Sequence, residues 1–453
     1  MQHANLNKDA QAFLARPRRL LIGGAWREAE RGEAIETLDP ATGASLGVIA
    51  AADAADVDSA VRAARQAFDG GAWSKLTAEE RGVLLWRLSD LIEKHADEFS
   101  TLDTLDNGAP RLSTRWIVQS AVSLFRYYAG CTTKLYGRAT DIASPGGDLH
   151  SYTRLEPVGV MASITPWNGP LVSVCGKIAP ALAAGCSVVI KPAELTSLSA
   201  LRLGELMLEA GFPEGSVNIV TGHGAVAGQA LADHPGVDKV SFTGSTATGK
   251  KLIAAAGGNL KRLTLELGGK SPLILFADCD LEMAIPLAAR AIFANSGQAC
   301  IAGSRLFVER PIYDKVVAGV SDIARKLRLG NGFDDATDLG PLISEKQRER
   351  VMGYVASGVE EGAELVAGGA AAPGEGFFVQ PTVFAATSPQ MRITQEEIFG
   401  PVVAVEPFSD TDDVIARANA TSYGLASGLV TRDVGRAHNL ARRIRAGNVW
   451  INC

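Results

Sequence analysis

The sequence predicts an α/β protein: a Rossmann-like, doubly wound parallel sheet, a second α/β region after it, and a small β arm. Three observations carry this. From residue 158 onward, short apolar runs alternate with helix-periodic segments, the rhythm of βαβ units. Apolar residues make up 47% and charged residues 21% of the 453 positions, an ordinary globular profile. Glycine numbers 48, more than one residue in ten where about 7% is usual, which implies tight turns or backbone held close to a bound group.

The elements follow in order. Residues 53–130 carry helical periodicity, as in Val83-Leu84-Leu85-Trp86-Arg87-Leu88 and Leu91-Ile92. Ser144-Pro145-Gly146-Gly147 turns a hairpin within 141–153. Strands are expected at 158–165, 187–191, 217–220, 237–242 and 263–267. The intervening helices are 171–184, 197–210 (stopped by Gly211), 225–233 and 246–256. Such a sheet binds ligands at the carboxyl ends of its strands. After Gly268-Gly269 the pattern continues with strands at 273–276 and 305–309 and helices at 281–295 and 313–326. A strand-like segment at 339–343 precedes a charged helix at 345–361. The stretch 368–376 is a loop, and 402–405, 411–420 and 440–445 extend the α/β pattern. The domain reading is 1–137 with 157–267, an arm at 138–156, and 268–453.

Composition also excludes. Lys+Arg is 44 and Asp+Glu 50, a net charge of −6, which disfavours nucleic acid as a partner. The six cysteines, at 131, 175, 186, 279, 300 and 453, include no C-x-x-C pair, so neither a disulfide scaffold nor a zinc site is expected. Lys8, Asp9, Arg16, Arg18 and Arg19 interrupt any apolar run near the start; no signal peptide and a cytoplasmic location are expected. The 20 uncharged residues 157–176 are long enough for a membrane span. Pro166-Trp167-Asn168-Gly169-Pro170 breaks them into strand, turn and helix, so no membrane partner is expected. The histidines, at 3, 95, 150, 223, 234 and 438, show no ligand spacing, and no metal is expected. Asp278-x-Asp280 reads as a helix start.

Several fragments carry chemistry. Gly244–Lys250 nearly matches a P-loop between strand and helix, but position 251 is Lys where a hydroxyl should hold magnesium. The geometry still suits a pyrophosphate at a helix N-terminus. Gly222-His223-Gly224 with Gly228 is a second, weaker glycine-rich turn. An ordinary βα turn is the alternative for either. Lys191-Pro192-Ala193-Glu194 ends a strand and could bind ribose hydroxyls; its carboxylate would repel a 2′-phosphate, favouring NAD over NADP. A solvated salt bridge is the alternative. Gly43-Ala44-Ser45-Leu46-Gly47 matches a serine-nucleophile elbow, but its flanks are those of a hairpin. Cys300 sits among small residues, and a thiol of pKa about 8.5 needs a base or a positive field. Glu266, ending an apolar strand that reads as buried, is the candidate base, with desolvation expected to raise its pKa. An inert buried thiol is equally compatible with these residues.

Together the pieces resemble the aldehyde dehydrogenase superfamily. Thr165-Pro166-Trp167-Asn168, Lys191–Glu194, Phe242-Thr243-Gly244-Ser245-Thr246, Glu266-Leu267-Gly268-Gly269-Lys270, Gly297-Gln298-Ala299-Cys300 and Glu397-Ile398-Phe399-Gly400-Pro401 stand in family order, with 34 residues from Glu266 to Cys300. The resemblance implies that Cys300 attacks an aldehyde and that Asn168 with the Cys300 N–H holds the oxyanion, a donor typically worth ~2.7–4 kcal/mol. It implies that Glu266 activates the hydrolytic water, with Lys177, Gly268 and Gly297 supporting. NAD contacts are implied for Ile164, Thr165, Pro166, Trp167, Lys191, Ala193, Glu194, Gly224, Gly228, Phe242, Thr243, Gly244, Ser245, Thr248, Leu267, Gly268, Gln347, Glu397 and Phe399. Retention of Glu266 favours hydrolysis over transfer to coenzyme A.

Gly169, Ser173, Gly176 and Ala294, with Ala299 and Ile301, would form a wide substrate tunnel, favouring bulky or aromatic aldehydes. A homodimer or homotetramer is implied. A silent structural member of the fold and a cofactor-free thiol esterase are the alternatives; Cys300, Glu266 and Asn168 argue against the first, Glu194 and Glu397 against the second. Relatives continue beyond Trp450-Ile451-Asn452-Cys453 with a Pro-Phe-Gly-Gly stretch and a last strand that pairs with the arm. The simplest explanation is a sequence that is a piece of a longer chain; if Cys453 is the true end, the resemblance implies an unpaired arm edge, a substrate tunnel missing a part, poor assembly and reduced activity.

Overall fold

The computed structural model describes residues 6–453; His3 and the first five positions of the 1–137 segment lie outside the described residues. Two compact units form. One takes in the chain to Leu38, Ser45–Asn107 and Leu112–Glu266; the other holds Asp39–Ala44, Gly108–Arg111 and Leu267–Cys453.

The first unit is built on a seven-stranded sheet in the order Arg262–Glu266, Lys239–Thr243, Val160–Ile164, Ser187–Lys191, Val217–Ile219, Leu20–Ile22, Ala25–Arg27. The first five strands run parallel; the last two add antiparallel. Val160–Ile164 lies centrally and every residue of it is buried, because helices cover both faces of a parallel sheet. The chain runs outward to one side through 187 and 217, then returns to the other side through 239 and 262. The strand order therefore reverses beside Val160–Ile164, the switch point where such folds bind ligands. Arg262–Glu266 is an edge strand, and Arg262, Thr264 and Glu266 are exposed. The expectation that Glu266 closes a buried strand is corrected: an edge strand is covered by a neighbour on one side only.

The second unit carries another seven-stranded sheet, in the order Glu364–Ala367, Thr382–Ala385, Val402–Phe408, Arg305–Glu309, Pro272–Leu275, Ala426–Val430, Asn448–Ile451. Only the first pair is antiparallel. Two hairpins complete the chain. Ala34–Leu38 pairs with Ser45–Ala50, as the rejected serine elbow required. Ala139–Ser144 pairs with Gly147–Tyr152 and is exposed almost throughout.

The α/β reading holds, with local corrections. The helix expected at 225–233 opens as a wide π-type turn over Gly224–Gly228 and is α-helical only over Gln229–Asp233; flanking glycines lower its helix propensity. The strand-like 339–343 makes a single bridge, Leu329 to Leu339, since Pro341 has no N–H to give a ladder. The helix expected at 281–295 stops at Phe293. The segment 440–445 is the end of a helix, Val434–Arg443. Among the described residues, no helix is long and apolar enough to cross a membrane.

Candidate functional site

In the first unit, the sequence-predicted residues gather at the carboxyl ends of the parallel strands. Ile164 ends the central strand, and the Thr165 N–H donates to the Lys191 carbonyl, 3.1 Å. Pro166, Trp167, Asn168 and Gly169 form a half-buried turn into the helix Pro170–Ala184. Pro170 suits the first helical position, where its missing N–H would be unsatisfied anyway. Gly169, Ser173 and Gly176 lie at spacings of four and three, one face of that helix. Lys177 follows, its Nζ donating to Ser241 Oγ at 3.2 Å. Burial pushes its pKa down to about 8, against the opposing charge of Glu266.

Lys191 is almost wholly buried; its ammonium donates to the Pro192 carbonyl at 3.0 Å and to Glu194 Oε2 at 2.9 Å. The other Glu194 oxygen accepts from the Gly224 N–H, 3.3 Å. Burial lowers the Lys191 pKa, with Glu194 opposing. Burial alone would raise that of Glu194, but the Lys191 charge and these hydrogen bonds bring it below the usual value. Ala193 is buried between them, and Gly228 lies against the Lys191 stem. On the neighbouring strands, Thr243 is in register with Glu266 and the Gly244 N–H donates to the Glu266 carbonyl, 3.0 Å. A side chain at Gly244 would meet the Phe242 ring. Ser245 caps the helix Thr246–Ala256 by accepting from the Thr248 N–H, and the two hydroxyls are 2.9 Å apart. A carboxylate oriented by a buried lysine and an exposed helix N-terminus with two hydroxyls are groups that fit the diol and the diphosphate of a dinucleotide.

In the second unit, the helix Leu281–Phe293 ends at Ala294 and the chain passes Asn295, Ser296 and Gly297 with φ of 52°, 54° and 70°. Left-handed backbone at a non-glycine residue costs of order 1–3 kcal/mol and persists only where its surroundings over-determine it. Here Ser296 Oγ donates to the Gly340 carbonyl at 2.7 Å, and Gln298 Oε1 accepts from the Ile343 N–H at 2.9 Å. A side chain at Gly297 would overlap the Gly400 carbonyl. Cys300 follows, half-buried, its carbonyl so close to Gly269 that a side chain there would overlap it. Leu267 and Gly268 precede this contact. Glu397 accepts from the Gly269 N–H at 3.1 Å and lies against Gly268 where a side chain would stand. Burial raises its pKa. Arg350 Nη2 donates to the Glu397 carbonyl at 2.8 Å, and Gln347 Nε2 to the carbonyl of Phe399, whose φ is 60°. Ala294, Ala299 and Ile301 line a cavity of about 740 Å³ with Leu287, Arg290 and Trp450.

Gly269, Gln298, Arg350 and Asn107, whose side chain bonds the Trp167 carbonyl at 3.0 Å, were not singled out by sequence. Gly269 and Gln298 stand inside the motifs named above but carry no role there, Asn107 reads only as a turn residue before Gly108, and Arg350 left no signal.

Comparison with known proteins places this geometry. The model of the aldehyde dehydrogenase family matches residues 26–453. Human retinal dehydrogenase 2 is 46% identical over 438 residues, covering 96% of this chain and 84% of its own. The solved NAD⁺ complex of an aldehyde dehydrogenase from Bacillus cereus superposes with a TM-score of 0.97 at 46% identity, over 99% of this chain and 91% of the other. Betaine aldehyde dehydrogenase from Staphylococcus aureus, solved with NAD⁺, gives 0.95 at 39% identity, over 99% and 90%. A match across nearly the whole sequence, joined to a near-complete structural superposition, shows that the chain belongs to the aldehyde dehydrogenase family, oxidoreductases that act on aldehyde groups.

Proposed function

We propose that the chain oxidises an aldehyde to its carboxylic acid with NAD, and that Cys300, Asn168 and Glu266 carry the reaction. The Cys300 thiol releases its proton to solvent as its sulfur bonds to the aldehyde carbon, and the carbonyl electron pair moves onto the oxygen, giving a thiohemiacetal oxyanion held by the Asn168 amide and the Cys300 N–H. NAD, when bound, accepts the hydride. The thioester left on Cys300 is cleaved by water that gives a proton to Glu266; the C–S bond breaks, the acid is released, and that proton returns to the sulfur to restore the thiol. Lys191 and Glu194 would hold the adenosine ribose, Ser245 and Thr248 the diphosphate, and Glu397 the nicotinamide ribose. The other cofactor contacts are the residues named from the sequence.

The observation that carries this reading is Cys300 itself: a half-exposed thiol after two strained, cross-bonded residues, where an inert core cysteine would need no such fixing. NADH absorbance with an aldehyde panel, repeated with Cys300→Ala, tests it; oxidation surviving in that variant refutes the mechanism. The retained Glu266 supports hydrolysis, so acyl-coenzyme A forming as fast as free acid would overturn that part.

Bulky or aromatic aldehydes are the proposed substrates. The small face of Gly169, Ser173 and Gly176 and the small side chains of Ala294 and Ala299 support this. A higher kcat/KM for acetaldehyde than for benzaldehyde would refute it. The exposed hairpin Ala139–Tyr152 supports a role as an assembly arm in a homo-oligomer, with exposed Ile142 and Leu149 available to a second copy.

A further inference from the structure

The helix Ala96–Asn107 is buried without interruption from Glu98 to Asn107, although most of those residues are polar. Burying polar groups is costly unless they are partnered, so the bonds they make show what the helix holds. Its last turn holds two strand-to-helix connections. Asp106 Oδ2 accepts from the Leu198 N–H at 3.0 Å, at the start of the helix that follows Lys191–Glu194. Asn107 Nδ2 donates to the Trp167 carbonyl at 3.0 Å.

The second bond acts on the peptide immediately before Asn168. A peptide group is planar, so fixing the Trp167 carbonyl fixes the orientation of the Asn168 N–H and the place of the Asn168 Cα from which its side chain departs. The next residue, Gly169, is conformationally permissive, and the helix Pro170–Ala184 has no side-chain cap there.

We propose that Asn107 is a positioning residue for oxidation, holding the Asn168 amide in place through the Trp167 carbonyl. This rests on the reading of Asn168 as an oxyanion donor. A donor of that kind is worth ~10²–10³ in kcat, and a misplacement of about 1 Å can cost ~10².

The test is a double-mutant cycle on the full chain with benzaldehyde and NAD. Asn107→Leu matches the side chain in size and removes the donor; Asn107→Ser removes the bond without adding bulk, should the leucine variant fail to fold. Either is expected to lower kcat by about 10- to 100-fold, with the dissociation constant for NAD unchanged by fluorescence titration. In an Asn168→Ala background the same substitution should cost nothing further, because the group it positions is gone. A purely structural role would give multiplying losses, and that result overturns the proposal, as would wild-type kcat in both Asn107 variants. Full activity in Asn168→Ala alone would overturn the oxyanion reading, and the positioning role with it.

Discussion

Gly269→Ala is the substitution whose consequence the structure fixes most closely. The methyl would overlap the Cys300 carbonyl, well inside the 3.0 Å that Cβ atoms keep. Its obstacle is backbone, not the free end of a flexible side chain, so no rotamer change relieves it. The Cys300 segment must retreat by about 1 Å, and a misplacement of that size can cost ~10² in rate. Overpacking itself costs about 1–3 kcal/mol, a loss that a large enzyme survives as a lower Tm. The expected outcome is a kcat/KM near 1% of wild type in the NADH assay, about 2.7 kcal/mol of transition-state stabilisation, with a folded protein by circular dichroism. Gly353→Ala is the control. That glycine lies exposed within the helix Glu345–Glu360 with nothing within 4 Å of the added methyl. It should keep full activity and gain roughly 0.5–1 kcal/mol. If Gly269→Ala folds and turns over within about twofold of wild type, the close approach does not place the nucleophile and the reasoning fails.

Three further outcomes follow from the same geometry. Lys191→Met keeps the stem and deletes the charge that orients Glu194; losing a charged hydrogen bond costs about 1.5–3 kcal/mol, so the NAD dissociation constant should rise by roughly 10- to 150-fold, and an unchanged titration would refute the role. Glu266→Gln should lower steady-state kcat by about 10²–10⁴ while leaving a single-turnover burst of NADH, since the base is needed only for hydrolysis; loss of the burst would place Glu266 earlier in the reaction. Lys270 is fully buried, its Nζ has no hydrogen-bond partner among the described residues, and burial with the Arg305 charge pushes its pKa down to about 7. Below pH 7 folded and unfolded chains both carry the proton and the folded one bears the cost of the buried cation; above it the folded chain releases a proton that the unfolded chain keeps, so this group makes stability rise with pH. Lys270→Met should therefore stabilise the protein more at about pH 6 than at about pH 9 in urea melts, and an equal gain at both would refute this.

Much of the architecture was legible because strand and helix periods are local. The apolar run from Val160 to Ile164 and the turn at Pro166–Pro170 specify a strand, a break and a helix without reference to anything distant, and the structure has all three. The helix expected at 246–256 was recognisable for the same reason: the bond that caps its start, from the Thr248 N–H to Ser245, closes within three residues. The misreadings share the opposite cause. Asn295 ends the helix expected at 281–295, yet it and Ser296 adopt left-handed backbone where Ser296 bonds the Gly340 carbonyl and Gly297 lies against the Gly400 carbonyl, both far along the chain. The apolar run before Glu266 gave no sign that its strand would stand at a sheet edge; strand order is a property of the assembled sheet.

The sequence by itself determined the α/β fold and the family, because these depend on residue type, spacing and short-range pattern, and the groups proposed for the chemistry were named from the same motifs. Tertiary structure alone decided which of those groups are buried, strained or braced. It buried Lys191 and aimed it at Glu194. It pressed Gly269 against Cys300, and it bonded Asn107 to a peptide sixty residues away. Burial and bracing arise from contacts between segments distant in the chain, and only packing brings those segments within the few ångströms over which such forces act.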